Sequence, residues 1–244
     1  MKIAVSGKGG VGKTSITALL AQKFAETSKV LAVDADPSLN LATMLGVKDP
    51  KPLSAMKTLV EERARMPGGL VRMNPKVDDL VDEYAQELSE NLKLIVMGTV
   101  SGAGKGCLCP ENALLRSLLS NLVLKRDEFV VIDLEAGLEP MSRGTVRGID
   151  EFLIVCEPTV NSVAVARRLA ELARELGVSR SLIVGNKVAG IEDAAFLSKN
   201  FDVFHTLPYD KSYVRQSRVG IYSGAGLLPA SVSELAGKMR KLPA

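Results

Sequence analysis

A doubly wound α/β domain, with a mainly parallel sheet and helices on both faces, is the fold class that the 244-residue sequence predicts. Three observations predict it. Apolar runs alternate with segments of helical spacing along the whole chain. Several runs are apolar at consecutive positions, which suits strands buried on both faces of a parallel sheet. The first run, Lys2–Ser6, passes through a glycine-rich segment straight into a helical pattern, and ligand loops sit at such strand carboxyl ends in this architecture.

The elements follow in order. Lys2–Ser6 reads as a short buried strand and Ser15–Thr27 as an amphipathic helix. Val30–Asp34, Leu92–Gly98, Phe129–Asp133, Phe152–Cys156 and Ser181–Asn186 are further strands, and Val203–Thr206 is a more polar candidate. Between them, Ala113–Val123, Ser162–Leu176 and Ile191–Ser198 have helical spacing. The stretch around 46–91 is different. It is polar and charged, broken by Pro50, Pro52, Pro67, Gly68, Gly69 and Pro75, and reads as a helical surface insertion in a single domain spanning 1–244.

Composition excludes several functions. A chain of this length buries a substantial core. Its net charge of +3 is too small to be a nucleic-acid signal by itself. With no apolar run of about 18 residues and a strand pattern at the amino terminus, neither a membrane span nor a signal peptide is expected. Scarce aromatics and the absence of tryptophan argue against a stacking platform for single strands. Three cysteines without a secretory segment point to a reducing cytoplasm.

Gly7-Lys8-Gly9-Gly10-Val11-Gly12-Lys13-Thr14 fits the phosphate-binding pattern G-x-x-x-x-G-K-[ST] at every position. Glycines let the backbone wrap closely, so that its N–H groups and the next helix N-terminus face the anion. Lys13 is placed to reach the β- and γ-phosphates, and Thr14 to set its hydroxyl on Mg²⁺. Nucleotide contacts are expected from Gly9, Gly10, Val11, Gly12, Lys13, Thr14 and Ser15. Asp133 ends a buried strand and has the form of a Walker-B carboxylate supporting Mg²⁺; Leu134-Glu135-Ala136-Gly137 after it can form a second switch. Asp34 and Asp36 lie at another strand end, where acids face the nucleotide loops, although Asp36-Pro37-Ser38 is also good turn chemistry. Gly185-Asn186-Lys187-Val188-Ala189 begins like the guanine-reading N-K-x-D pattern, but Ala189 removes the carboxylate that guanine would need. An asparagine there can still pair with the adenine edge, so ATP is favoured over GTP.

The early lysine, Lys8, makes the loop resemble the deviant Walker A loop of the MinD, ParA and nitrogenase-iron-protein ATPases. That resemblance implies a P-loop ATPase in which Lys8 crosses an ATP-promoted homodimer interface and touches the partner's nucleotide. It places Asp36 in a first switch, positioning the attacking water beside Mg²⁺, with Asp34 structural or on the Mg²⁺ side. Lys8, Lys13 and Asp36 are then the catalytic set. Leu207-Pro208-Tyr209-Asp210 resembles the P-x-D segment that closes over the base in MinD-like ATPases, which implies base contacts from Pro208, Tyr209 and Asp210 beside Asn186 and Lys187.

Cys107 and Cys109 lie in the glycine-rich segment Gly102–Asn112, unlike core. Thiolates at i and i+2 can turn towards one soft or borderline metal. A closed tetrahedral site needs four ligands, and a two-fold dimer would supply the other two by symmetry. Cys156 and His205 read as packed residues. Together with the phosphate loop and Asp133-Leu134-Glu135-Ala136-Gly137, the run Gly106-Cys107-Leu108-Cys109-Pro110-Glu111 resembles the CooC-type ATPases, nickel-handling maturation factors for carbon monoxide dehydrogenase. Nickel or zinc at the cysteine pair, and carbon monoxide dehydrogenase or its acetyl-CoA synthase partner as client, are what this resemblance implies. Pro140 departs from the family, near where relatives carry histidine. Two other readings stand beside it. A MinD- or ParA-like positioning ATPase needs a membrane-seeking helix or a basic DNA surface, and the tail Ser231–Leu242 is short and only marginally amphipathic. An iron–sulfur scaffold or reductase generally places its cysteines elsewhere.

Overall fold

The computed structural model describes residues 1–36, 38–66, 70–72, 75–77, 79–97, 113–114, 117–118, 128–134, 149–219 and 226–242. Among the described residues eight strands form one sheet: β1 (Lys2–Gly7), β2 (Lys29–Ala35), β3 (Gln86–Ser89), β4 (Leu92–Val96), β5 (Glu128–Leu134), β6 (Glu151–Cys156), β7 (Ser181–Val188) and β8 (Val203–Pro208). Their spatial order is β3-β4-β2-β5-β1-β6-β7-β8. Neighbours are parallel except β3, which runs antiparallel to β4 at one edge. The helices are α1 (Lys13–Ala25), α2 (Asn40–Met44), α3 (Lys57–Ala64), α4 (Leu80–Tyr84), α5 (Val160–Glu175), α6 (Ile191–Asn200), α7 (Lys211–Val219) and α8 (Leu227–Met239).

Successive strand residues point to opposite faces, so each continuous apolar run feeds two cores. Ala4, Val33, Val130, Ile132, Phe152 and Ile154 pack on the side of α5, against Val163, Ala166, Leu169 and Ala173. Ile3, Val5, Ala32, Val131, Leu153 and Val155 pack on the side of α1 and α8, against Ile16, Leu20, Phe24, Val232, Leu235 and Met239. Phe24 stacks on Phe129 with centroids 4.2 Å apart, and the Arg240 guanidinium lies 5.1 Å from each ring. Full burial of a side chain such as Phe24 stabilises the fold by about 2–3 kcal/mol.

The stretch around 46–91 departs from the expected surface helices. It carries α3 and α4, but also the edge strand β3, whose sequence Gln-Glu-Leu-Ser has no apolar alternation to announce it. It also sends Leu53, Leu59, Val60, Ala64, Val77 and Leu80 into the core on the α5 side. Prolines and charges had masked a buried face. The helix α7 was likewise missed, because Lys211–Val219 is polar at most positions. α8 begins before the expected tail, at Leu227: Pro229 is tolerated in a first turn, where N–H groups have no intrahelical acceptor. Its apolar side, Leu228, Val232, Leu235, Ala236 and Met239, is buried in the core. No helix among the described residues is long and apolar enough to cross a membrane.

Candidate nucleotide site

β1 lies between β5 and β6, and the loop after it therefore opens at the centre of the sheet. That is where ligand loops gather in open α/β sheets. The loop closes with a bond from Val11 N–H to the Lys8 carbonyl, 3.2 Å, and α1 starts with Ile16 N–H on the Gly12 carbonyl, 3.1 Å. Two glycines are compulsory. A Cβ on Gly7 would come within 2.4 Å of the Val155 carbonyl oxygen, and one on Gly12, where φ is 100°, within 2.5 Å of Asn186 Nδ2. The first turn of α1 has no side-chain cap and no acidic residue. Its N–H groups are left to an anion.

The cleft in front of this turn measures about 400 Å³ and is lined by Gly9, Gly10, Gly12, Lys13, Thr14, Ser15, Asp36, Ser38 and Asn40. Lys13 is 6% exposed, so its ammonium is held inside the site. The acids converge from adjacent strands, since Asp34 of β2 and Asp133 of β5 are register partners. Asp34 organises the chain behind the cleft: Oδ1 accepts from Asp36 N–H at 3.2 Å and Oδ2 from Ala42 N–H at 3.0 Å. Asp36 Oδ1 accepts from Ser38 N–H at 2.8 Å, the turn chemistry its neighbours suggested. Asp133 Oδ1 accepts from Thr17 Oγ1 at 3.3 Å, and Thr14 lies near enough to favour the charged carboxylate. Asp133 Oδ2 is buried and has no hydrogen-bond partner among the described residues.

Burial drives the ionisation of both acids. It pushes Asp34 up to about 6 against the N–H bonds that hold its charge. It pushes Asp133 up to about 7, with Thr14 and Lys13 opposing and the charges of Asp34 and Asp36 adding. An orphaned buried carboxylate oxygen beside a threonine hydroxyl and two more acids is a donor set that fits a hard divalent cation.

Across β1 the polar groups are satisfied within the chain. Asn186 Nδ2 donates to the Val11 carbonyl at 2.7 Å, and Lys187 Nζ to the Gly10 carbonyl at 2.7 Å. Lys187 holds φ at 58°, in the left-handed region that non-glycine residues seldom enter. Its ammonium also meets Glu157 Oε2 at 3.0 Å, while Lys8 Nζ meets Glu157 Oε1 at 3.3 Å. Sequence reading did not find Glu157. The signal was there, as a charge directly after the apolar strand β6 that adjoins β1. Asn186 and Lys187, expected at the base, thus grip the phosphate loop from behind.

Asp210 is likewise engaged within the chain. Expected over the base, it commits Oδ1 to Ser212 N–H, Ser212 Oγ and Tyr213 N–H, and Oδ2 to Leu228 N–H. Burial alone would push its carboxyl up, but these donors hold it down at about 2. It caps α7 and pins the start of α8. Pro208 ends β8, and Tyr209 is 42% exposed beside it. His205 is buried with Nε2 3.0 Å from the Ser231 carbonyl, and Cys156 is buried in the core, both as expected. Cys107, Cys109, Glu135, Gly137 and Pro140 lie outside the described residues.

Comparison with known proteins now settles the class. Residues 2–221 match the CobQ/CobB/MinD/ParA nucleotide binding domain. The chain belongs to that family. Within it, the carbon monoxide dehydrogenase accessory protein CooC of Rhodospirillum rubrum is 39% identical over 91% of this chain and 88% of its own length. An ATP-binding protein of Methanocaldococcus jannaschii is 41% identical over 90% of each chain. The fold matches the cell-division ATPase MinD of Pyrococcus furiosus, with a TM-score of 0.72, 23% identity and 99% of each chain covered. As a CobQ/CobB/MinD/ParA member the protein is a P-loop ATPase, with the resemblance to CooC running through nearly all of the chain.

Proposed function

We propose that this ATPase is a dimerising metallochaperone that inserts nickel into carbon monoxide dehydrogenase or a related nickel enzyme. The observation that carries the reading is 39% identity to CooC of Rhodospirillum rubrum over 91% of the chain. Cys107 and Cys109 support it, because a cysteine pair in a glycine-rich segment is half of a four-thiolate site. The commitment of the α8 apolar face to the core disfavours a membrane-seeking role for that helix.

In the reaction, a water oxygen attacks the γ-phosphorus of ATP and the bond to the β–γ bridging oxygen breaks, giving ADP and phosphate. Thr14 and Asp133, with Asp36 nearby, would hold Mg²⁺, which would supply neutralisation of phosphate charge. The loop N–H groups and Lys13 bind and orient the phosphates, and Asp36 orients the water and holds its proton. Positioning and electrostatics carry this kind of transfer. Asn186 and Lys187 keep the loop in its phosphate-binding shape. Asn186 remains the proposed adenine contact, through the part of its amide not given to Val11, beside Pro208 and Tyr209.

Two thiolates per chain make the metal site a dimer property. Cys107 and Cys109 from two subunits would hold one nickel or zinc ion, and ATP-promoted closure would change the spacing of these cysteines. Thiol ligands must lose their protons, so affinity falls as pH drops. Anaerobic titration of the wild type and a Cys107→Ser, Cys109→Ser protein, with and without a non-hydrolysable ATP analogue, tests the reading. One metal per dimer, lost in the double variant, is expected. Equal tight binding by both proteins, or a fixed ratio of one per monomer, would end it.

A further inference from the structure

Lys8 is assigned to a partner's nucleotide by resemblance, yet within one subunit its ammonium is already engaged, 3.3 Å from Glu157 Oε1. The surroundings of that carboxylate are built with some care. β6 ends at Cys156, and Thr159 caps α5 by accepting from Ser162 N–H at 3.3 Å. The Glu157 N–H donates to Ser162 Oγ at 3.1 Å, so the residue's main chain is fixed between strand and helix. Its side chain is only 15% exposed. Burial alone would push this carboxyl up, and the bonds from Lys187 and Lys8 outweigh it, holding Glu157 below the ordinary glutamate range. It is therefore a fixed negative charge facing two cations.

We propose that Glu157 is the intrachain holding partner of Lys8, and that release of this ion pair helps set the subunit concentration at which two ATP-bound subunits associate. The proposal rests on the reading that Lys8 crosses to the partner's phosphates. The second lysine makes the exchange feasible. A half-buried carboxylate left without a partner is costly. Glu157 is not left so when Lys8 departs, because Lys187 stays 3.0 Å from its other oxygen. Lys187 in turn bonds the Gly10 carbonyl, and Gly10 lines the phosphate cleft. The holding point and the phosphate loop are thus one connected unit. A nucleotide that reshapes the loop acts on the same lysine–glutamate pair that retains Lys8. Glu157 is a positioning residue in this scheme, touching neither nucleotide nor water.

The test is dimerisation of the full chain, followed by sedimentation with a non-hydrolysable ATP analogue, in wild type, Glu157→Gln, Glu157→Asp, Lys8→Ala and the Lys8→Ala, Glu157→Gln double variant. Two holding pairs are released per dimer, each a partly exposed pair worth about threefold, so Glu157→Gln should associate at about tenfold lower subunit concentration. Glu157→Asp, which keeps the charge, should move back towards wild type. Lys8→Ala should weaken association, and adding Glu157→Gln to it should give no gain. Glu157→Gln that associates no better than wild type, while Lys8→Ala fails to associate, overturns the proposal and leaves the crossing role standing. A gain from Glu157→Gln that persists without Lys8 overturns it as well. Wild-type association by Lys8→Ala removes the crossing role itself, and the proposal with it. Amine labelling of the wild type needs no variant to fold. In nucleotide-free protein Lys8 should react slower than exposed lysines such as Lys57, and an equal rate would count against the holding pair.

Discussion

Towards β2 and β5 the strand ends present Asp34, Asp36 and Asp133, with burial pushing Asp34 to about 6 and Asp133 to about 7. Towards β6 and β7 they present Glu157, held below the ordinary range between Lys8 and Lys187. Both flanks adjoin β1 and meet the same loop. The first flank has negative charge in excess of its partners, and one oxygen, Asp133 Oδ2, has none among the described residues. The second flank pairs its charges and gives its donors to the Val11 and Gly10 carbonyls. The difference separates two jobs. An under-satisfied flank gains most when a cation and phosphates arrive, whereas a satisfied flank holds the loop ready for them.

Mutations on each flank should therefore fail differently. The largest effect is expected at Lys13, which faces the acidic flank from inside the cleft. Lys13→Ala should cut ATP turnover by about a thousandfold or more, since charge neutralisation and positioning carry phosphoryl transfer. A variant turning over normally would remove Lys13 from the reaction.

Asp133→Asn comes next and should separate stability from activity. A carboxyl raised on folding keeps a proton that the unfolded chain has already released. Its contribution to stability is full below about pH 4 and is lost as pH rises through about 7. Nucleotide-free wild type should thus lose stability across that window, with Asp34 adding to the loss up to about pH 6. Asp133→Asn should flatten the profile and melt higher at pH 7.5, by on the order of 2 kcal/mol, while Mg²⁺-dependent turnover drops about a hundredfold. Calorimetry against pH is the measurement. A variant less stable than wild type at pH 7.5 would mean that the acidic flank is not strained.

On the satisfied flank the two properties should fall together. Asn186→Ala leaves the Val11 carbonyl without its donor, and both fold stability and nucleotide affinity should drop by about 1–2 kcal/mol. Isothermal titration with ATP and GTP reads both this loss and the base preference. Loss of ATP preference without loss of affinity would assign Asn186 to the base alone. The smallest effect is expected away from both flanks, at Asp210. Asp210→Asn should cost about 1 kcal/mol through the caps of α7 and α8, with ATP preference retained. Its contribution is present above about pH 4 and lost as pH falls towards 2, because the folded carboxyl is depressed. Altered base preference in this variant would return Asp210 to the nucleotide.

Much of this was legible in the sequence because local rules decide it. The alternation of strands and helices, the phosphate loop from Gly7 to Thr14, and the strand-end acids Asp34 and Asp133 each depend on residues close in the chain. β3, α7 and the buried face between Leu53 and Leu80 were not legible, since their apolar content is sparse and only packing against the sheet selects it. The same limit applies at the site. The sequence by itself determined that a phosphate-loop pattern follows β1 and which acids end the neighbouring strands. Only the tertiary structure decided that Asn186 and Lys187 grip the loop, that Asp210 caps helices, and that Glu157 holds Lys8. The first and the last depend on partners brought together by strand order: 149 positions separate Lys8 from Glu157 and 175 separate Val11 from Asn186, whereas Asp210 meets Ser212, Tyr213 and Leu228 within 18 positions. A polar side chain's role is set by the donor or acceptor that folding places beside it, and residue type alone leaves that choice open.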